Sequence, residues 1–162
     1  MITKKKKNNM KIYNWNDEFS KEVCSWKYPT PYSIYNLPSY KEMQMSSLGF
    51  ADSQKKQNFK GVVSENRLIG FFNLINETDE VFMGIGVCPE QCSKGFGYEI
   101  ILLAILESNQ IYGNKPIYLE VREWNTRAIN CYLKAGFKVE DKVKLNTYTG
   151  EGEFIHMIYE FV

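Results

Sequence analysis

Histidine is the residue this chain lacks most. His156 is its only one, and the four cysteines, Cys24, Cys88, Cys92 and Cys131, are scattered. Cys88 and Cys92 stand four apart, wider than the usual close pair of metal ligands, and the imidazole is far from both in sequence, which argues against a structural zinc. Nor do four cysteines make the dense framework of a disulfide scaffold, which a chain of 162 residues does not need. Charge of one sign is missing too. Twenty Lys and Arg oppose 19 Asp and Glu, leaving a formal charge of +1, so no overall field draws in nucleic acid or an anionic membrane surface. The one basic run, residues 4–7, stands at the extreme N-terminus, where residues 1–9 read as a flexible, solvated basic end. No apolar run approaches the roughly 18 residues needed to cross a bilayer, and the lysines are not followed by the apolar core of a secretion signal. The expectation is one cytoplasmic domain, residues 1–162, with neither nucleic acid nor membrane as partner.

Aromatic residues, by contrast, are plentiful at 15%, with 11 Tyr and 10 Phe, enough ring surface to fill a core or line a pocket. Phe19, Val23 and Trp26 recur at four and three, which predicts a short helix opening near Asn16 or Asp17 and stopping by Pro29. Residues 28–40 hold three prolines and four tyrosines, Tyr28, Tyr32, Tyr35 and Tyr40, and can sustain neither a helix nor a central strand. Ser39 followed by Glu42 is a capping-box pattern for a second short helix reaching about Ser47. Residues 61–63 and 68–74 read as strands joined by a tight turn over 64–67. Residues 81–87 form a third strand, interrupted by Gly84 and Gly86. Tyr98, Ile101, Leu102, Ile105 and Leu106 then mark an amphipathic helix ending near Tyr112 or Gly113. The strand led in by Pro116 follows. Ala128, Cys131, Tyr132 and Ala135 share a helix face that opens at Asn125 or Thr126 and stops at Gly136. Two strands, 137–143 and 153–162, joined by the loop Thr149, Gly150, Glu151, Gly152, complete a mixed α/β sheet covered on both faces.

The stretch CPEQCSKGFGYEI, residues 88–100, places a proline and a glycine-rich turn between a strand and a strong helix. First-turn N–H groups of a helix have no intrahelical partner, and the helix dipole adds partial positive charge there. Gly95 and Gly97 would let the backbone approach a diphosphate closely, and Lys94 could add a charge. Plain helix capping explains the same residues. The nucleoside-triphosphatase loop is excluded, because Tyr98 follows Gly97 where Lys and then Ser or Thr are required. The dinucleotide fingerprint is excluded because Gly84-Ile85-Gly86 meets Pro89 where its third glycine belongs.

Two phrases together resemble the GNAT superfamily of acyl-coenzyme A dependent N-acetyltransferases. In that family a Val-x-Pro strand end leads into a Gln/Arg-x-x-Gly-x-Gly/Ala loop, and a later helix carries Asn-x-x-Ala-x-x-x-Tyr-x-x-x-Gly-Phe. Here Val87-Cys88-Pro89 precedes Cys92-Ser93-Lys94-Gly95-Phe96-Gly97, and Asn125, Ala128, Tyr132, Gly136 and Phe137 follow. One departure stands out: Cys92 replaces the Gln or Arg that opens the loop, with Gln91 one position early. The resemblance implies an acyl-CoA N-acyltransferase fold, a mostly antiparallel sheet of about six or seven strands with helices on both faces, splayed between its fourth and fifth strands. It implies acetyl-CoA as cosubstrate, held by Ile85, Gly86, Val87, Cys92, Ser93, Lys94, Gly95, Phe96, Gly97, Asn125 and Tyr132. The acceptor is an amine-bearing small molecule or protein.

The implied reaction is direct attack of a neutral amine on the thioester. An amine of pKa about 10.4 is neutral in roughly one molecule in two thousand at pH 7, a handicap of about 4–5 kcal/mol that a base must remove. The resemblance makes Tyr132 the acid that protonates the departing sulfur, although packing in its helix face is the plain alternative. Glu120 and Glu80 are the carboxylates nearest the expected splay, with Glu120 preferred as base. His156, between Ile155 and Met157, reads as structural or as a flank of the acceptor site. Cys92 near a helix start could have a lowered thiol pKa, yet no base accompanies it and a covalent route is disfavoured. Tyr28, Tyr32 and Tyr35 are candidate walls of the acceptor pocket. The rival reading is a non-catalytic acyl-CoA sensor or structural module of the same fold. The last strand, 154–162, is apolar enough to finish its own sheet or to pair across the axis of a homodimer.

Overall fold

The computed structural model describes residues 9–147 and 149–162; the basic run 4–7 lies outside them. Local signals set most element boundaries. Helix α1 (Asp17–Ser25) opens where the Asn16 side chain accepts from the N–H of Phe19 at 2.8 Å. Helix α2 (Tyr40–Met45) carries the full capping box: Ser39 Oγ accepts from the Glu42 N–H at 3.2 Å, and the Ser39 N–H donates to the Glu42 carboxylate at 2.9 Å. Strands β2 (Phe59–Ser64) and β3 (Arg67–Asn76) are joined by Glu65 and Asn66, with φ 51° and 62°. Two left-handed residues in succession make the tight hairpin turn that matches strand twist, and Asn accepts that conformation more readily than Glu.

Strand β4 (Val81–Val87) leads to helix α3 (Phe96–Tyr112), which ends where Gly113 adopts φ 73°. Strand β5 (Ile117–Arg122) precedes helix α4 (Thr126–Ala135), which Gly136 stops at φ 109°. Strands β6 (Lys138–Thr147) and β7 (Gly150–Tyr159) are longer than their apolar runs suggest. The expected loop over residues 149–152 is largely strand. Thr147 pairs with Gly150, Asn146 with Glu151 and Leu145 with Gly152, so the two glycines are ladder residues and the connection is tighter than composition implied. A short strand, β1 (Lys11–Asn14), carries no sequence signal and pairs antiparallel with β2, Ile12 opposite Val62.

The sheet has seven strands in the order β1-β2-β3-β4-β5-β7-β6, mostly antiparallel, with flanking helices. β4 and β5 are the parallel neighbours, and they pair at Val81–Ile117 and Phe82–Tyr118. β5 stays bonded to β7 as far as Arg122–Phe154, while β4 runs on to Val87.

Two compact units share β3 and β4: one takes residues up to 72 and 86–96, the other 73–85 and 97–162. The first is built on rings. Trp15, Trp26 and Phe50 are buried, with Phe19, Phe59 and Phe71 packed against them. Trp15 stacks on Phe50 at 4.9 Å, and its indole N–H donates to the buried hydroxyl of Ser20 at 2.8 Å. Gly61 is glycine because the Phe19 ring covers it, leaving no room for a Cβ. The second unit has an aliphatic core of Val81, Met83, Ile100, Ile101, Ile117, Leu119 and Met157, closed by Phe137. Among the described residues no helix is long and apolar enough to cross a membrane.

Candidate active site

The glycine-rich loop begins at the end of β4. Tyr28 donates its hydroxyl to the carbonyl of Val87 at 2.7 Å, and the Cys88 N–H donates to the Ile69 carbonyl at 2.8 Å, so the strand end is pinned from two directions. Pro89–Gln91 makes one 3-10 turn, and Cys92 is extended. Ser93 and Gly95 are both left-handed, at φ 64° and 85°, with Lys94 between them, and Phe96 opens α3. Backbone that alternates in hand turns successive amides toward one concave side, which suits a bound anion. Gly97 is not part of that turn; it is the second residue of α3.

Cys92 does not take the place of a long polar side chain. Its thiol lies back against the carbonyls of Cys88 and Val87, at 3.6 and 3.9 Å, both weak sulfur contacts. Burial pushes the neighbouring Cys88 thiol above its ordinary pKa, the reverse of what a nucleophile needs. Gly84 and Gly86 also have a packing reason. The Asn73 side chain lies over Gly84 and the Phe71 ring over Gly86, each where a Cβ would be. The glycines admit these β3 side chains, whatever else the strand binds.

In the second unit, β5 alternates from Ile117 to Val121, and Arg122 at its end is buried as well. Ile117, Leu119 and Val121 are buried, which puts Tyr118, Glu120 and Arg122 on the opposite face. Glu120 stands directly across from His156 on β7. The His156 Nδ1 lies 3.6 Å from Glu120 Oε1, and its Nε2 lies 3.1 Å from Oε2 of Glu140 on β6. Tyr118 stacks on the imidazole at 5.3 Å with the planes 14° apart. Its hydroxyl donates to Glu77 at 2.7 Å, and Phe82 meets its ring edge-on. Burial, reinforced by the Glu77 carboxylate, raises the Tyr118 pKa far above a phenol's ordinary value, so this hydroxyl remains a donor. Arg122, buried, crosses the Phe154 ring at 4.8 Å and donates to Thr149 at 2.6 Å, holding the β6–β7 turn.

The two carboxylates singled out from sequence occupy different places. Counting on from Phe82–Tyr118 puts Glu120 level with Gly84, just past the last β4–β5 pair. Glu80 belongs to the β3–β4 turn, its carbonyl accepting from the Glu77 N–H at 2.9 Å. Four residues of strand, about 13 Å, separate it from Gly84. Asn125 caps α4 by accepting from the Ala128 N–H at 3.2 Å and is buried. Tyr132 is 7% exposed, its ring edge-on to Phe137 at 5.6 Å. Tyr118, Glu77 and Glu140 went unnoticed in the sequence. Alternation along IYLEVR could have put Tyr118 beside Glu120, but Glu140 reaches His156 from a bulge in the β6–β7 ladder, where it is the extra residue between the pairs Val139–Met157 and Asp141–His156.

A family model described as the acetyltransferase (GNAT) family matches residues 12–137. An N-alpha-acetyltransferase of Sulfurisphaera tokodaii is 34% identical over 76 residues, which are 47% of this chain and 44% of that protein, so the match spans under half of the relative. The fold is that of solved acetyltransferases. The spermidine N-acetyltransferase of Vibrio cholerae, solved with CoA and spermine, superposes with a TM-score of 0.74 at 19% identity, over 94% of this chain and 96% of that one. The ribosomal-protein-S18-alanine N-acetyltransferase of Escherichia coli gives 0.66 at 18% identity, over 93% of each chain. With more than half of its length matched by the family model, the chain belongs to the acetyltransferase (GNAT) family.

Proposed function

We propose that this protein transfers the acetyl group of acetyl-CoA to a primary amine of a small molecule or protein, by direct attack. The observation that carries the reading is the parting of β4 from β5 after Phe82–Tyr118, with a carboxylate, Glu120, on the strand just beyond. Backbone freed from pairing along β4 has N–H groups at Ile85, Gly86 or Val87 for an extended arm and for the thioester carbonyl, where they stabilise developing negative charge. The alternating loop from Cys92 through Ser93, Lys94 and Gly95 to Phe96 supplies amides for the diphosphate. With the Cys92 thiol turned back on the strand end, backbone carries this contact.

Glu120 takes the proton that the incoming ammonium must lose before its nitrogen can attack. The new C–N bond forms as the C–S bond breaks, the sulfur leaving with the electron pair; Tyr132 donates its hydroxyl proton to that sulfur, and the surplus proton left on the acylated nitrogen restores the Tyr132 phenol, directly or through water. A phenol is protonated at neutral pH and so is ready as a donor. Asn125, by capping α4, holds the helix that carries Tyr132. The solved neighbours and the partial relative acetylate polyamine, protein or peptide amines by their names, and these define the acceptors to try first.

A second reading, an acyl-CoA sensor without turnover, is favoured by Cys92, which leaves the diphosphate loop one polar side chain short. The deciding experiment measures release of free CoA from acetyl-CoA with spermidine, an aminoglycoside and an alanine-initiated peptide, for the native protein and Tyr132→Phe. Turnover that drops about 10²-fold or more in the variant is expected. Undiminished turnover removes Tyr132 from its role, and tight acetyl-CoA binding with no CoA release from any amine selects the sensor.

A further inference from the structure

The acceptor's proton has to leave Glu120 before the next turnover, and the second unit holds a path for it. We propose that His156 is a proton-relay residue, passing the proton from Glu120 to Glu140 and so to water. This rests on Glu120 being the base. The two imidazole nitrogens face two different carboxylates, Nδ1 toward Glu120 at 3.6 Å and Nε2 toward Glu140 at 3.1 Å. A neutral imidazole with its proton on Nε2 offers a lone pair at Nδ1, the arrangement a relay needs. The 3.6 Å separation closes to a hydrogen bond by a small side-chain rotation or through one water.

Exposure falls and then rises along the path in the required sense. The Glu120 and His156 side chains are 29% and 20% exposed, while that of Glu140 is 53% exposed. Tyr118 keeps the ring in its plane by stacking, and its own hydroxyl is committed to Glu77, so it does not intercept the proton. In one cycle Glu120 accepts a proton from the ammonium and gives it to Nδ1. Nε2 releases its proton to Glu140, Glu140 releases one to water, and the imidazole regains its starting tautomer by exchange with solvent. One proton enters and one leaves, with no electrons transferred. The groups facing the imidazole are Glu120 and Tyr118 from β5 and Glu140 and Asp141 from β6, Asp141 being its register partner.

Because the chain has one histidine, a 15N-imidazole spectrum reports His156 without ambiguity and without turnover. Glu120→Gln is expected to move the resonance of Nδ1 and Glu140→Gln that of Nε2, since each replaces the carboxylate facing that nitrogen. Ring-nitrogen resonances unmoved by either substitution overturn the relay. In steady state, His156→Gln is expected to lower kcat about 10-fold or more, with the KM for acetyl-CoA unchanged within about twofold and partial rescue by added imidazole. Glu140→Gln shows a smaller loss in kcat. An acetyl-CoA-induced rise in Tm equal to that of the native protein shows that the His156→Gln fold is intact. Loss of activity in Glu120→Gln with none in His156→Gln overturns the relay and leaves the base in place; loss in His156→Gln alone overturns both the relay and the base.

Discussion

Glu80 and Glu120 are chemically the same side chain near neighbouring strands, and only strand geometry tells them apart. Glu120 is on the face of β5 that also carries Tyr118 and Arg122, level with Gly84, while Glu80 is in the turn before β4 begins. Substituting Glu120→Gln is therefore expected to lower kcat about 10²- to 10⁴-fold with the acetyl-CoA KM unchanged, and Glu80→Gln to change it less than about twofold. Equal losses from both would mean that neither strand position decides the chemistry. Packing makes a second residue-scale prediction. Gly61→Ala puts a methyl group into the Phe19 ring, which is itself held edge-on by Trp15, and is expected to destabilise the protein by about 1–3 kcal/mol in urea unfolding. A midpoint equal to the native one would show that Phe19 has room to move. At this scale the sequence was readable where a residue acts on its own chain neighbours, as Asn125 does on the N–H of Ala128. It was not readable where a residue acts across strands, as Glu140 does on His156, because register is set by non-local packing.

Elements whose ends are built from caps were legible for the same reason. The capping box of α2 is complete in four residues of sequence, Ser39 to Glu42, and Gly113 and Gly136 stop α3 and α4 in left-handed backbone that glycine alone adopts freely. β1 was missed because four residues hold too little alternation to register as a strand. The β6–β7 connection was misplaced because glycines signal turns in composition, whereas Gly150 and Gly152 are paired with Thr147 and Leu145. The capping box also fixes a pH dependence. The N–H of Ser39, then its hydroxyl, hold the Glu42 carboxyl below its ordinary pKa. A carboxyl lowered in the folded state contributes stability above its unfolded pKa and loses that contribution as pH falls through its folded pKa. Glu42→Gln should thus lower the urea midpoint at pH 7, and the two proteins should converge as the pH falls through the lowered pKa of native Glu42. A difference that does not shrink as the pH is lowered would assign the effect to side-chain shape and not to charge.

For the molecule as a whole, the order of elements pointed to a mixed α/β sheet, but the placing of β7 between β5 and β6 is a non-local pairing that no local pattern encodes. That placing is what brings His156 opposite Glu120, so the candidate chemistry depends on topology as much as on residues. Binding supplies a readout for the complete chain. If acetyl-CoA is held by the alternating loop, the folded state gains RT ln(1 + [L]/Kd), about 2.7 kcal/mol at one hundred times Kd, and Tm rises with ligand concentration. Gly95 and Gly113 are both left-handed, at φ 85° and 73°, but Gly113 ends a helix with open space around it while Gly95 lies in the loop. A valine at either position forces a β-branched residue into disfavoured backbone, roughly 1–2 kcal/mol. Both variants should therefore start from a lowered Tm. Only Gly95→Val should also lose most of the acetyl-CoA-induced rise, because its loop amides are re-aimed, while Gly113→Val keeps the full rise. Equal ligand-induced rises in the two variants, measured by differential scanning calorimetry, would place the diphosphate away from this loop.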